Sequence, residues 1–351
     1  MYSNDIYQCN GFLWIGDPQI DSHENKPSRR LDVNYLETGC NKLEQAIDIA
    51  NSKDLIPVIL GDLTEQPYLQ KNSLFVFNQI YKVLSKAKHK PIVLVGNHDC
   101  TQTIVSDDTF MGALRQAGVI HCYDDSGLIG YFWCNNKTVA LGGTAYWKGY
   151  PPDDVSHFVN VKHDLCIWLS HQDVGFDNSS YPGVKKAYPI KGCDMVINGH
   201  MHMTKKPVLA GNTAWHNPGN ILRISIADHD HKPAVWMCTA DKMVLEPIYL
   251  KFDKDIFDWT GKRVKSSDST EAMGGIVQQL SANNKLFITS LKESLNNKFQ
   301  AENGSELPAT QKADLLLEDI NTLFELESPP DDVKNMVLYL YDRLKKVNNE
   351  T

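Results

Sequence analysis

The 351-residue chain carries 35 Lys and Arg against 43 Asp and Glu, a formal charge of −8, and is 42% hydrophobic and 9% aromatic. That composition suits a globular protein with a full core, one large domain plus an appendage or two modest domains. It excludes a bilayer span, because no apolar run approaches about 18–20 residues, and it counts against strong non-specific nucleic-acid binding, which rests on Lys and Arg neutralising phosphates.

The opening Met1-Tyr2-Ser3-Asn4-Asp5 lacks the basic start and apolar stretch of a secretory leader, so a cytoplasmic protein without membrane association is expected. Eight cysteines (Cys9, Cys40, Cys100, Cys122, Cys134, Cys166, Cys193, Cys238) lack the two-residue spacing of a zinc ribbon or redox pair. Buried, reduced thiols are the expectation.

In chain order, Phe12–Ile15, Ile56–Leu60 and Pro91–Val95 are continuous apolar runs bounded by glycine, as strands buried on both faces are. Leu36, Cys40, Leu43, Ile47 and Ala50 recur between the first two at helical spacing. A second helix is predicted over Leu74–Lys86, with Leu74, Phe77, Ile80, Tyr81 and Leu84 on its stripe. Alternating strands and helices predict a parallel α/β unit. After Gly118 the strands crowd: Val119–Cys122, Leu128–Trp133, Thr138–Gly142, Leu165–Ser170, Met195–Asn198, Ile221–Ile226, Ala234–Cys238 and Val244–Leu250. So many exceed one doubly wound sheet. The prediction is an α/β (α+β) fold, a two-sheet β-sandwich flanked by helices, over 1–252. From 253 to 351 a helical appendage is expected, with helices at Leu286–Phe299, Ala313–Leu326 and Val333–Val347.

Five short segments end strands of this set: Gly16-Asp17-Pro18-Gln19, Gly61-Asp62, Gly96-Asn97-His98-Asp99, Ser170-His171 and Gly199-His200-Met201-His202. A strand ending in Gly-Asp delivers a carboxylate at the carboxyl edge of a sheet, where α/β proteins place their sites. Carboxylates, imidazoles and an amide oxygen in one set suit a pair of divalent cations, Mn, Fe or Zn rather than Ca or Mg. Two such ions about 3.5–4 Å apart hold attacking water and scissile phosphate oxygen together.

This ordered set resembles the calcineurin-like metallophosphoesterase superfamily over roughly residues 12–250. The resemblance implies a first ion held by Asp17, Asp62 and His202 and a second held by Asp62, Asn97, His171 and His200, with Asp62 bridging. It implies His98 as proton donor to the leaving oxygen, or stabiliser of the transition state, with Asp99 orienting it. It also implies a two-sheet sandwich. Gln19 departs from the pattern, standing where the family usually has His; an amide oxygen is a weaker ligand for late first-row metals. Asp21-Ser22-His23 repeats the usual Asp-x-His spacing four residues later and is a candidate substitute.

Leu63-Thr64-Glu65-Gln66-Pro67 follows Gly61-Asp62, without the Asp-Arg-Gly of serine/threonine protein phosphatases. Asn217-Pro218-Gly219-Asn220-Ile221-Leu222-Arg223 is similar to the Asn-Pro-Gly-Ser-x-x-Arg stretch of SbcD-type DNA-repair exonucleases, with Asn220 replacing Ser. That similarity implies a nuclease using Mn ions, and a helical tail that meets DNA, an ATPase or a second copy of the chain. A small-nucleotide phosphatase or phosphodiesterase and a catalytically weak binding module are the alternatives. Arg29, Arg30 and Arg223 are candidate phosphate contacts, by bidentate hydrogen bonds. His216 reads as a packing or turn residue, and His229 and His231 as members of a solvated hairpin turn.

Overall fold

The computed structural model describes residues 7–68, 73–101, 103–176, 184–238 and 245–258, together with Lys334. The chain divides into two compact units, Met1–Asp258 and Trp259–Thr351. The helices expected at 286–299, 313–326 and 333–347 lie outside the described residues, apart from helical Lys334.

The elements of the first unit are β1 (Tyr7–Cys9), β2 (Phe12–Ile15), α1 (Tyr35–Lys53), β3 (Ile56–Ile59), α2 (Leu74–Leu84), β4 (Ile92–Leu94) and α3 (Phe110–Gln116). Next come β5 (His121–Tyr123), β6 (Ser126–Cys134), β7 (Lys137–Thr144), β8 (Leu165–His171) and β9 (Met195–Gly199). The chain continues through β10 (Lys205–Ala210), β11 (Thr213–Asn217), β12 (Ala234–Cys238) and β13 (Glu246–Tyr249). Two mixed sheets result, an α/β fold. One is ordered β13-β12-β2-β3-β4-β5 and the other β1-β6-β7-β8-β9-β11-β10.

Strands β2 to β5 run parallel, as do β7, β8, β9 and β11. Their carboxyl ends therefore line up within each sheet. Phe12 of β2 and Phe132 of β6 meet edge to face at 5.2 Å, and Phe12 stacks on Trp14. Strand β4 packs on β8, so the two rows of strand ends face one common edge. This is the feature of the fold that matters for chemistry.

Helix α1 lies on β2 and β3 because Leu43, Ala46, Ile47 and Ala50 share one fully buried stripe. Each such Leu or Ile contributes about 1.5–3 kcal/mol on burial. Asn34 caps it by accepting from the Glu37 N–H, and Asp54 ends it in the left-handed region at φ 58°. Helix α2 buries Val76, Ile80, Val83 and Leu84, while the predicted stripe members Leu74 and Tyr81 are exposed. Helix α2 packs on α1, and its Phe77 meets Phe110 of α3 edge to face at 5.5 Å. Helices α1, α2 and α3 serve the six-stranded sheet: α1 and α3 touch its strands and α2 packs on α1. The outer face of the seven-stranded sheet carries Trp168, Val196 and Trp215 against Val155, Val174 and Ile190. The segments that supply Val155, Val174 and Ile190 and cover it form no α-helix among the described residues.

Two further differences concern strands. Ile221–Ile226 is expected as a strand, but the chain is irregular up to Ser225 and Ile226 opens the 3-10 turn Ile226–Asp228. The Asp228 carboxylate accepts from the Ile224 and Ser225 N–H groups, so side-chain hydrogen bonds replace a ladder. Conversely, the β10–β11 hairpin has no counterpart in the sequence reading. Its Lys205-Lys206-Pro207 opening looks like loop, but Pro207 falls at a register shift in an edge strand, where proline is tolerated.

Candidate metal centre

Each motif begins where a parallel strand runs out, and the backbone there is strained. Among the described residues seven non-glycines have positive φ. Asp54 ends a helix and Asn135 and Asn136 make a hairpin turn, ordinary uses of that conformation. The other four are Asp17 (23°), Gln19 (38°), Asp62 (49°) and His200 (72°). Strain of this kind persists only where surroundings over-determine it, and it clusters at functional sites. The glycines are sterically required. A Cβ on Gly61 would lie 2.2 Å from His171 Nδ1, and one on Gly96 would lie 2.1 Å from Asp62 Oδ1.

The ends converge. His171 Nε2 lies 3.1 Å from Asp62 Oδ2 and 3.2 Å from Asn97 Oδ1. His200 Nδ1 lies 2.9 Å from the same Asn97 oxygen. Asp62, His171 and His200 offer ligand atoms all within 4.8 Å of one another. Asp17 Oδ1 lies 3.5 Å from His171 Nδ1 and accepts from the His200 N–H at 3.1 Å. The imidazoles are oriented from behind. His171 Nδ1–H donates to the Leu60 carbonyl at 2.7 Å, which turns Nε2 inward. Asp173 Oδ2, 3.4 Å from His200 Nε2, turns Nδ1 inward. Carbonyl and carboxylate partners of this kind fix tautomer and ring angle in metal-ligating histidines.

The electrostatics describe a cluster short of positive charge. Burial pushes the Asp17 carboxyl up, and Asp62 adds to it. Burial disfavours the charged form of His171, yet the Asp62 carboxylate overrides it and the imidazole is raised to about 10. Asp62 also feels burial, but His171 holds its carboxyl low. Asp17 Oδ2 and Gln19 Oε1 are buried without a hydrogen-bond partner, at a cost of about 1–3 kcal/mol each. Two orphaned acceptor oxygens beside a carboxylate–imidazole–amide set fit a divalent cation. Asp62, Asn97, His171 and His200 would hold one ion, and Asp17, Gln19, Asp62 and His202 the other.

His98 stands beside this cluster. Its N–H donates to Asp62 Oδ1 at 2.8 Å. Its ring Nδ1 donates to the Glu65 carbonyl at 3.1 Å, with Glu65 Oε1 at 3.4 Å. Burial lowers the imidazole's affinity for a proton, but Asp62 and Glu65 outweigh it and the pKa is raised. Asp99 was expected to orient His98 and does something else. It is fully buried and accepts from the N–H groups of Asp62, Leu63 and Gly96 at 2.8–2.9 Å. Asp99 clamps two strand ends together; Glu65 orients the imidazole.

Other sequence candidates land elsewhere. Arg30 and Arg223 are buried, contrary to a phosphate-binding role. Arg30 forks onto Asp32 at 2.6 and 2.7 Å and donates to the Arg223 carbonyl. Arg223 donates to the carbonyls of His229 and Asp253 and lies over Phe252. Guanidinium groups spent on backbone and aromatic faces have little left for a ligand. Arg29 is half-buried and its carbonyl accepts from Asp258. His23 accepts the Tyr35 N–H at the start of α1, so the second Asp-x-His is not at the centre. His202 is half-exposed and lies near enough to Asp17 to favour its ionised carboxylate. His216 is half-buried, with its pKa lowered by burial to about 4. His231, expected in a solvated turn, is buried with Nε2 donating to Asn220 O at 2.7 Å.

Sequence reasoning missed Glu65, Asp173 and Asn198. Asn198 Nδ2 donates to the Gln172 carbonyl and to Asn217 Oδ1, tying β8, β9 and β11 behind the histidines. Position after Gly-Asp and Ser-His was the available signal for the first two; nothing local marks Asn198. Asn220 is buried with neither amide atom partnered, next to Ile221, whose N–H donates to Gly16 O.

No protein-family model and no curated protein matches this chain. Solved structures do. A hypothetical protein from Thermus thermophilus is similar at TM-score 0.40 and 11% identity, over 68% of this chain and 98% of that one. The 5'-nucleotidase from Candida albicans is similar at TM-score 0.39 and 13% identity, over 80% of this chain and 59% of that one. The 5'-nucleotidase precursor from Thermus thermophilus follows at 0.35 and 10%, over 68% and 53%. The chemistry assigned to this centre rests on its own side chains. No helix among the described residues is long and apolar enough to cross a membrane.

Proposed function

We propose that the chain is a metal-dependent phosphoesterase of the calcineurin-like kind that hydrolyses phosphodiester bonds. The observation that carries this is the meeting of Asp62, His171 and His200 ligand atoms beside the orphaned oxygens of Asp17 and Gln19. Divalent ions there, with Mn as the expected metal, would supply Lewis acidity toward a phosphoryl oxygen and a lowered water pKa. The protein's own part is positional. Asp62 and Asn97 keep four ligand-bearing loops in register, and Leu60 and Asp173 hold the imidazoles. His98, whose proton affinity Asp62 and Glu65 raise against the effect of burial, would give its proton to the leaving oxygen.

Nucleic acid is the proposed substrate, on the strength of the SbcD-like Asn217–Arg223 stretch. The second reading, a small nucleotide, is favoured by a specific observation: Arg30 and Arg223 are buried and internally bonded, leaving that stretch no cation for a long backbone. An ATPase or second copy of the chain remains the proposed partner of residues 253–351.

The test is Mn-dependent release of nucleotides from linear DNA, run beside hydrolysis of bis-p-nitrophenyl phosphate. Asp62→Ala should abolish Mn binding by calorimetry, and His98→Ala should lower turnover about 10²- to 10⁴-fold with Mn still bound. Unchanged Mn binding in Asp62→Ala would sink the reading. Turnover of the small diester with inert DNA would select the second substrate class.

A further inference from the structure

Beside the centre lies an aromatic pair that the hydrolytic chemistry does not use. After β7 the chain makes a single 3-10 turn, Tyr146–Lys148. The Tyr146 ring lies 5.5 Å from the His200 ring and 6.1 Å from that of His171, and it meets Trp147 edge-on at 5.1 Å. Trp147 is 41% exposed. An indole left in solvent costs hydrophobic free energy unless something covers it.

This turn is held by the segments that place the ligands. The Tyr146 N–H donates to Val95 O, directly before Gly96-Asn97. Gln172, directly after His171, donates through Nε2 to the carbonyls of Tyr146 and Gly149 at 2.7 and 3.1 Å. The Trp147 indole N–H donates to the Cys100 carbonyl at 2.8 Å, directly after Asp99. The ring is thus locked before any ligand arrives, so little side-chain freedom is lost when its face is covered. A locked, half-exposed indole one residue from a ring that packs on two candidate ligands is a stacking surface at a fixed distance from the centre.

We propose that Trp147, backed by Tyr146, stacks the base of a nucleobase-bearing phosphoester and so determines substrate specificity. The inference rests on the phosphoester reading of the adjoining centre and deepens it, naming the side chain that would select nucleotidyl substrates over aliphatic phosphate esters. Base stacking on an aromatic side chain tolerates every base, because each presents a π-face. Selectivity for a base without selectivity among bases is the expected pattern. His171 and His200 are committed to the centre, and Lys148 lies 3.6 Å from Asp125, so the turn contributes aromatic surface more than charge.

The experiment measures equilibrium binding of AMP and ribose 5-phosphate to the Mn-loaded full chain, the two probes sharing a phosphate and differing in the base. Wild type should bind AMP about tenfold or more tightly than ribose 5-phosphate. In Trp147→Ala that ratio should collapse to within about twofold, and Trp147→Phe should restore most of it. Near-ultraviolet circular dichroism and the melting temperature verify that each variant is folded. Equal affinities in wild type, a preference that survives in Trp147→Ala, or no binding of either probe would each overturn the proposal. Failure of the phosphoesterase reading itself shows separately, as no hydrolysis of bis-p-nitrophenyl phosphate in wild type while the AMP preference persists.

Discussion

Glu65 and Gln19 are the residues on which the chemistry turns most finely. Glu65 raises the His98 pKa, and a general acid works only while protonated, so activity should fall as pH rises through that pKa. Glu65→Gln removes one raising charge and should move the alkaline limb of kcat/KM to lower pH, with the acid limb unmoved. Gln19→His places an imidazole where an orphaned amide oxygen now sits. Zn affinity should rise by about tenfold or more in a calorimetric titration, since imidazole suits late first-row metals better than an amide oxygen does; no change would remove Gln19 from the ligand set.

Among the elements, the ends of β3 and β4 are joined by one carboxylate. Asp99 satisfies three backbone N–H groups, and Asp99→Ala would leave all three buried without an acceptor. The expected loss is about 3–5 kcal/mol by urea unfolding, and Mn affinity should fall with it because Asp62 and Asn97 are no longer in register. Gly61→Ala acts on the same strand end from the other side. Its φ of 113° and the 2.2 Å approach to His171 demand that β3 and β8 separate, so Mn binding should be lost even where the variant folds.

For the whole molecule, the buried cluster dominates pH dependence just above neutrality. His171 is raised to about 10, so its protonation stabilises the metal-free fold fully below its unfolded value of about 6.5. That contribution is lost as pH rises from there through about 10. The neutral-buried histidines His121 and His216 are lowered to about 4, so their effect is complete before this window opens. Lys42 is lowered by burial to about 8, so the fold gains stability from it as pH rises above 8, opposing His171 there. The melting temperature of chelator-treated protein should therefore fall most clearly between about pH 6.5 and 8. Saturating Mn should flatten the slope, because the cation displaces the His171 proton. Mn titration near pH 8 should release protons, read as a buffer-dependent heat. A flat profile without metal would contradict the account of the cluster.

The strand-end motifs and most of the sandwich were legible in the sequence because both are local. An apolar run closed by glycine and an acid or His marks a buried parallel strand and its functional end within a few residues, as at Ile56–Asp62 and Met195–His200. Helix α1 was legible for the same reason, its stripe repeating over four turns. What required the tertiary structure was every assignment that depends on a distant partner. Arg30 and Arg223 look like phosphate contacts until Asp32, Phe252 and Phe257 close over them. Asp99 looks like the partner of His98 until three N–H groups from two loops claim it, and Glu65 takes the place. The buried stripe of α2 is the one that meets α1 and the core, and Ile221–Ile226 lost its ladder to Asp228. Spacing along a chain determines which side chains can reach a sheet edge. Which of them stay free to do chemistry is decided by the hydrogen bonds and burial that folding imposes from elsewhere.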